Sequence, residues 1–498
     1  MPPLPLLVFV VGTGSLGAEI AAVRLLAPYF GASTIVWANT IGIVLVALSI
    51  GYWLGGKWAD KRPEKEPLCL LALVAAVLLA IVPFVADPML DLAVDALDSI
   101  SAGAFFGSLI GVLVLVAIPV LLLGAVTPWA LRLAVADSGV SDAGKTAGRL
   151  YALSTAGSLL GTLLSALVLI PVLGTRRTFL VFALAIAVVA VPGLRLRRWA
   201  AAPAAIVVLI LLPVGTLKAQ VSDGKVIYET ETETQYARVI ERTDGSRALE
   251  LNEGQAQHSI WYPDTTLTGD VWDGHLVLPW AVRADAPRRV AILGNAAGTT
   301  ARAYEEFFPD TRVDGVEIDP ELSEIGKKYF EMDNPQLRLY HEDARPFLRR
   351  MGDVRYDVIS VDAYRQPYIP FYLATREFFE LCRERLAPGG VLIVNAGHPA
   401  DQDDLEKVLT ATMEKEFAHV ARDPIEDTNT LIVASEEPIE TQKLATAPLP
   451  FGLRATADAA AARLDAPLEG GRVYTDDLAP VEWLIDKSIV DYAQGGED

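Results

Sequence analysis

Five short stretches between residues 294 and 390 carry the residue types that nucleoside chemistry uses. Gly294-Asn295-Ala296-Ala297-Gly298 follows an apolar run and opens a helical pattern. Residues this small let a backbone approach a ligand closely, with N–H groups aimed from a helix N-terminus. Glu317 closes the next apolar run, 23 positions after Gly294, with Asp319-Pro320 behind it. A carboxylate at that kind of offset can accept from both hydroxyls of a ribose. Asp343-Ala344 ends a third segment, where an acid can accept from an adenine amine. Asp362 ends a fourth, beside Ala363-Tyr364, and Pro388-Gly389-Gly390 turns into a fifth. Any one of these acids is as readily a solvated helix cap. Their recurrence at successive segment ends points to one adenosine-type pocket.

The elements that must position these residues alternate. Apolar Val290–Leu293 reads as a strand, followed by a helix Thr299–Phe307, a strand Arg312–Glu317 and a helix Pro320–Phe330. Strand Leu337–Tyr340, helix Arg345–Arg350, strand Tyr356–Val361, helix Ala374–Leu386 and strand Val391–Asn395 continue the series. Such alternation predicts a parallel, doubly wound sheet with ligands at the carboxyl ends of its strands. Upstream, Lys225–Glu229, Tyr236–Arg242 and Ala248–Asn252 alternate in the strand manner, with a turn at Asp244-Gly245. They predict a small antiparallel sheet, then a helix starting near Asp264-Thr265 and running past His275. The stretch 436–450 reads as irregular and disordered.

Residues 1–215 are different in kind. Seven apolar runs, near 5–27, 36–56, 67–86, 103–131, 148–173, 178–194 and 199–215, each approach the length needed to cross a hydrocarbon core of roughly 30 Å. The fold class expected is a polytopic α-helical membrane domain, then the small antiparallel sheet, then a doubly wound, Rossmann-like α/β domain of the methyltransferase type. The expected boundaries are 1–215, 222–285 and 286–498, the last ending in an acidic tail. Gly51, Gly55 and Gly56, and Gly157 with Gly161, suit close helix packing. Glu19 and Arg24 on the first run, and Trp37, Asn39 and Trp58 on the second, form a buried polar site or a structural ion pair with interfacial aromatics. The N-terminus lacks the basic region of a cleaved signal.

Charge divides the chain at the same place. Residues 1–215 hold 13 Lys and Arg against 10 acids; residues 216–498 hold 29 against 52, a balance of −23. That acidic half would repel nucleic-acid phosphates. The composition also excludes a simple soluble protein, a collagen-like fibre and a disordered chain. Cys69 and Cys382 lie far apart and make no disulfide framework. The five histidines show no metal-ligand spacing, although His258 and His398 lie where they can line the pocket, and no metal is expected. The loop 57–66 has four Lys and Arg, and 87–102 has none. The positive-inside rule puts the first loop and the N-terminus in the cytoplasm, and seven spans then put the acidic half outside. The supply of a nucleoside cofactor favours the inside. The 178–194 run, with Pro192, is the segment whose full crossing is in question.

The stretches AILGNAAG (291–298), VEIDP (316–320), EDARPFL (342–348), YDVISVDAY (356–364) and REFFELCRERLAPGGVLIVN (376–395) resemble the spermidine synthase, or polyamine aminopropyltransferase, family. The whole chain is similar to its membrane-bound bacterial branch, in which several spans precede the synthase-like domain and a tail like TDDLAPVEWL (475–484) follows it. The resemblance implies transfer of an aminopropyl group from decarboxylated S-adenosylmethionine to an amine, putrescine by default, with release of methylthioadenosine. It implies that Gly294 and Gly298 shape the cofactor loop, Glu317 holds the ribose, Asp343 and Ala344 meet the adenine, and Asp362 orients and deprotonates the amine. Gln235 and Tyr364 would contact substrate. Partners would be a small-molecule amine, a lipid bilayer and, as in relatives, a second copy in a homo-oligomer.

The departures are specific. Ala297 stands where the family's loop has an Asp that grips the aminopropyl ammonium, and Arg365 stands where a second Asp follows Asp362. A Tyr-His pair has no match near Trp272-Asp273. A dication needs carboxylates in a partly desolvated site. Asp476, Asp477 and Glu482 would supply them if the tail folds over the pocket. Two other functions stay open: methyl or aminocarboxypropyl transfer from S-adenosylmethionine itself, and a non-catalytic transporter or sensor that binds a nucleoside or polyamine.

Overall fold

The structure, a computed structural model, describes residues 3–30, 34–97, 103–138, 142–212, 221, 223–232, 234–252, 256–364, 369–398, 400 and 402–484. The chain divides into two compact units, Met1–Ala219 and Gln220–Asp498.

The first unit is helical: α1 (Leu4–Phe30), α2 (Thr34–Lys61), α3 (Lys65–Leu97), α4 (Gly103–Leu115), α5 (Ala117–Ser138), α6 (Ala143–Leu164), the turn α7 (Ile170–Leu173), α8 (Thr175–Ala190) and α9 (Ala201–Leu211). Small residues set the closest approaches. A Cβ added at Gly51 or Gly55 of α2 would lie 2.2 or 2.3 Å from the carbonyls of Leu121 and Ala125 on α5. Gly157 and Gly161 of α6 meet α1 in the same way at Phe9 and Thr13, whereas Gly56 faces open space. Asn39 donates to Ser108 Oγ at 2.9 Å, tying α2 to α4.

Among the described residues, six helices are long and apolar enough to cross a membrane, against the seven apolar runs of the sequence. The 199–215 run yields only α9, 11 residues, about 16 Å at the helical rise and half a hydrocarbon core. Residues 213–215 of that run lie outside the described residues. The 178–194 run makes one of the six, Thr175–Gly193, because Pro192 falls in a 3₁₀ turn after α8 has ended and breaks no helical hydrogen bond.

The second unit opens with an antiparallel sheet in the order β1 (Lys225–Glu231), β2 (Tyr236–Glu241), β3 (Arg247–Leu251), β4 (Gln257–Trp261). The last strand is absent from the pattern reading. The helix expected from Asp264 starts instead at α10 (Val271–Val277). Residues 268–270 are spent on caps: Thr268 and Gly269 give their N–H groups to Asp273 at 2.9 and 2.8 Å, and Asp270 accepts from Val271 N at 2.6 Å.

A seven-stranded sheet follows. Its elements are β5 (Arg289–Leu293), α11 (Thr299–Phe307), β6 (Arg312–Val316), α12 (Pro320–Tyr329), β7 (Leu337–Tyr340), α13 (Ala344–Arg350), β8 (Tyr356–Val361), α14 (Arg376–Arg385) and β9 (Leu386–Gly397). Then come α15 (Asp404–Met413), β10 (His419–Glu426), β11 (Asn429–Ser435), α16 (Thr441–Thr446) and α17 (Arg454–Arg463). The order is β10-β11-β9-β8-β5-β6-β7, with β11 antiparallel to both of its neighbours. Both faces are covered. Val290, Ile292, Val391 and Ile393 join one core, and Ala291, Leu293, Leu392 and Val394 the other. A strand buried on both faces reads as an unbroken apolar run, which is why these strands were legible. The stretch 436–450 is ordered: α16 lies within it, and Leu444 is fully buried.

Candidate active site

Strand β5 lies between β6 and β8, so the chain leaves it to one side and later crosses to the other. A crevice opens at such a switch point, at the carboxyl ends of the strands. The loop after β5 sits there. Gly294 has φ +92°, and a Cβ on it would lie 2.4 Å from the Asp362 carbonyl, so only glycine lets the two strand ends approach. Gly298 has φ +88° and is closed in by Met332 Sδ. Ala296 is also left-handed, at φ 44°, a strained setting for a residue with a Cβ.

The loop's amides are not aimed at a ligand. Gly294 N and Asn295 N donate to Val316 O, and Gly298 N donates to Asn295 O. Ala296 N donates to Glu317 Oε2 at 2.9 Å, and Ala297 N to Ser259 Oγ at 3.0 Å. All five N–H groups of residues 294–298 are thus used within the fold. A phosphate would find no free donors in this loop; the face of a nucleoside needs none.

Glu317, at the end of β6, is 7% exposed. Its carboxylate accepts from Ala296 N and from Asp319 N at 3.0 Å. Burial pushes its pKa up to about 7, against those two bonds, and Asp319 adds to the rise. Asp319 caps α12 and accepts from Thr232 and Thr234 hydroxyls, both at 2.5 Å, and from Gln235 Nε2 at 3.4 Å. The β1–β2 turn is thereby docked on the β6 end, and Gln235 lies beside the loop that carries Glu317. Asp343 caps α13 through Arg345 N at 3.0 Å and accepts from Tyr372 Oη at 2.5 Å; Ala344 is buried next to it.

Asp362, half-buried at the end of β8, anchors its own N–H on Leu293 O at 2.8 Å. Its carboxylate accepts from Asn395 Nδ2 at 2.8 Å, and Asn395 Oδ1 accepts from Asn429 Nδ2 at 2.9 Å. Burial raises the Asp362 pKa, hydrogen bonds from Asn395 and the Trp272 indole lower it, and the negative charge of Asp270 raises it. Asp270 is also the largest cause of a raised pKa at Glu426, ahead of burial. The charge of Asp270 is thus felt at both Asp362 and Glu426. Tyr364 spends its hydroxyl on the backbone of β9, donating to Asn395 O at 2.9 Å and accepting from Gly397 N at 2.6 Å.

The tail does not bring its first acid to this region. Asp476 pairs with Arg345 at 2.6 Å, beside Asp343. Asp477 is exposed and Glu482 partly buried. Ala297 is fully buried among Ala237, Val239, Trp261 and Phe330. Arg365 lies outside the described residues. His258 sits on β4 beside Ser259, and the His398 backbone joins Thr428. Among the described residues no group of three or more potential ligands could hold a metal ion.

Residues 275–426 match the family model of the spermine/spermidine synthase domain. A probable polyamine aminopropyl transferase of Bifidobacterium longum is 31% identical over 293 residues, covering 53% of this chain and 64% of that protein. The polyamine aminopropyltransferase of Vibrio vulnificus is 30% identical over 210 residues, covering 40% of this chain and 70% of its own. This chain belongs to the spermidine synthase family. A probable spermidine synthase from Corynebacterium glutamicum, solved as a crystal structure, aligns with a TM-score of 0.39 and 21% identity over 51% of this chain and 98% of its own. The chain thus spans just under two thirds of the Bifidobacterium relative.

Within this family member, sequence reasoning missed Asp270, Trp272, Asn395, Asn429 and Glu426. Asn395 was within reach, since it closes the fifth predicted strand as Asp362 closes the fourth. Asp270 and Asn429 carry no such signal, because only the docking of α10 and the antiparallel return of β11 bring them here.

Proposed function

We propose that the chain is a membrane-tethered aminopropyltransferase that uses decarboxylated S-adenosylmethionine and a polyamine-type acceptor, with putrescine the first to test. One observation carries the reading. Glu317 and Asp362 border the same loop from opposite sides, one on Ala296 N and one against Gly294, and that loop offers no free N–H to a phosphate. Glu317 would accept from the ribose hydroxyls, Asp343 and Ala344 would meet the adenine, and Gln235 would close the ribose side. The attacking nitrogen would stand at Asp362, in its neutral form. It bonds to the carbon next to the sulfonium, the C–S bond breaks, and its electron pair leaves on sulfur as methylthioadenosine. The new ammonium then gives its proton to Asp362 or to water. The sulfonium is a good leaving group already, so the protein's work is mainly alignment. Asp270 and Glu426 would face a second ammonium of the acceptor. Asp477 and Glu482 would stay outside that subsite.

Buried Ala297 also supports a second reading. Without an acid there, nothing repels the carboxylate of S-adenosylmethionine itself, and methyl or aminocarboxypropyl transfer becomes accessible. If the six apolar helices found among the described residues each cross the bilayer, both ends of the helical unit would lie on one side. The basic loop 57–66 makes that side the cytoplasm, where the cofactor is made. The test uses the full chain in detergent, with either sulfonium and putrescine, and mass spectrometry of the products. Methylthioadenosine together with an aminopropylated amine is expected. Turnover only with S-adenosylmethionine selects the second reading. Failure to bind either sulfonium or methylthioadenosine ends both and leaves a sensor or transporter.

A further inference from the structure

Residues 474–481 fasten onto the nucleoside side of the cleft. Arg376 N donates to Tyr474 O at 2.9 Å, Tyr474 N donates to Thr412 Oγ1 at 3.1 Å, and Val481 is fully buried. Between these anchors Asp476 takes Arg345 in a two-pronged pair, Nη1 to Oδ1 at 2.7 Å and Nη2 to Oδ2 at 2.6 Å. Thr375 Oγ1 also donates to Asp476 at 2.8 Å, and Asp476 N donates to Glu377 at 3.0 Å. Arg345 is 8% exposed. Its backbone N–H holds one oxygen of Asp343, and its guanidinium holds Tyr372 O at 3.3 Å. The Tyr372 hydroxyl holds the other oxygen of Asp343. Both oxygens of Asp343 are thus oriented by groups that Arg345 carries or secures, and Arg345 is itself gripped by the tail.

We infer that Asp476 is a positioning residue for nucleoside recognition, acting through Arg345 and Tyr372 on the Asp343 carboxylate. A paired fork fixes the guanidinium in direction as well as distance, which a lone contact would not do. The tail therefore serves as a strap on the adenine side and not as a donor of acids to the amine. This inference rests on the reading of Asp343 as an adenine contact, and the experiment separates the two. Methylthioadenosine binding is measured by calorimetry on the full chain in detergent, followed by steady-state kinetics. No binding by the unaltered chain overturns the site reading itself. If the unaltered chain binds, Asp476→Asn is expected to weaken methylthioadenosine and raise the KM for the sulfonium substrate by roughly tenfold, the scale of a small misplacement in a site. The KM for the amine and the kcat at saturating sulfonium should stay within about twofold of the unaltered chain, because a contact to the adenine is made equally in the ground and transition states. Asp476→Glu should recover part of the affinity, and Glu469→Gln, exposed on the same tail, should change nothing. Where Asp476→Asn does not fold, Arg345→Lys is read the same way, since it keeps the charge and loses the fork. Unchanged affinity in the folded variant, or an equal loss in both KM values and kcat, overturns the strap.

Discussion

Exchanging Glu317 for Gln tests the buried carboxylate on which the nucleoside reading depends. Glu317 has a pKa pushed from 4.5 to about 7 by burial. The shift amounts to about 3 kcal/mol between the two protonation states. The folded value lies above the unfolded one, so from pH 4.5 to 7 the folded chain holds more protons than the unfolded chain. Stability from this group therefore falls as pH rises through that window, and the whole penalty is present above it. Gln has no such penalty. It accepts from only one of Ala296 N and Asp319 N and turns its own NH₂ toward the other, a cost of about 1–3 kcal/mol at every pH. The variant should be the less stable form at pH 4 and gain about 3 kcal/mol on the unaltered chain by pH 8. Denaturant unfolding of the full chain in detergent, read by tryptophan fluorescence, measures the difference. Buried His275, whose pKa is held down at about 4, runs in the opposite sense and cancels in the comparison. At pH 8 the variant should bind methylthioadenosine more than about a hundredfold less tightly, from two hydroxyl bonds to a charged acceptor. A stability difference that does not change with pH would refute the buried ionisation, and unchanged affinity would refute the ribose contact.

Asp362→Asn should lower kcat by about 10²- to 10³-fold while methylthioadenosine affinity holds, as calorimetry and product release would measure. Ala296→Gly should stabilise the unit by about 0.5–1 kcal/mol in denaturant melts, because relief of the left-handed φ exceeds the added chain entropy. His275 is 1% exposed, and neither of its ring nitrogens has a hydrogen-bond partner among the described residues. Its pKa lies below the unfolded value, so stability is lost as pH falls from about 6.5 to 4. His275→Leu should flatten that acid limb in pH-dependent melts, and an unchanged limb would show that another group sets it.

The acids and glycines of the cleft were legible because they stand at or just after the ends of mostly apolar runs, where a parallel strand buried on both faces stops. Glu406 and Asp423 were not legible as buried groups. As sequence they are surface charges; in the fold they are fully enclosed, paired with Arg422 and Arg463. β10 carries both Asp423 and Pro424, which mask its strand pattern until those pairs form. The 199–215 run gives a short helix for a related reason. Composition marks an apolar run but not where its helix ends, and α9 ends after 11 residues.

Local chemistry along the chain thus settled the alternation of strands and helices from β5 to β9, the split between an apolar basic half and an acidic half, and which acids stand at strand ends. Those properties depend on each residue and its near neighbours. Only the folded chain decided that the loop after β5 spends its amides internally, that Asn429 stands behind Asn395 and Asp362, and that Asp476 grips Arg345. Each of these joins groups from distant parts of the chain, and a hydrogen bond of 3 Å between distant segments has no counterpart in spacing along a sequence.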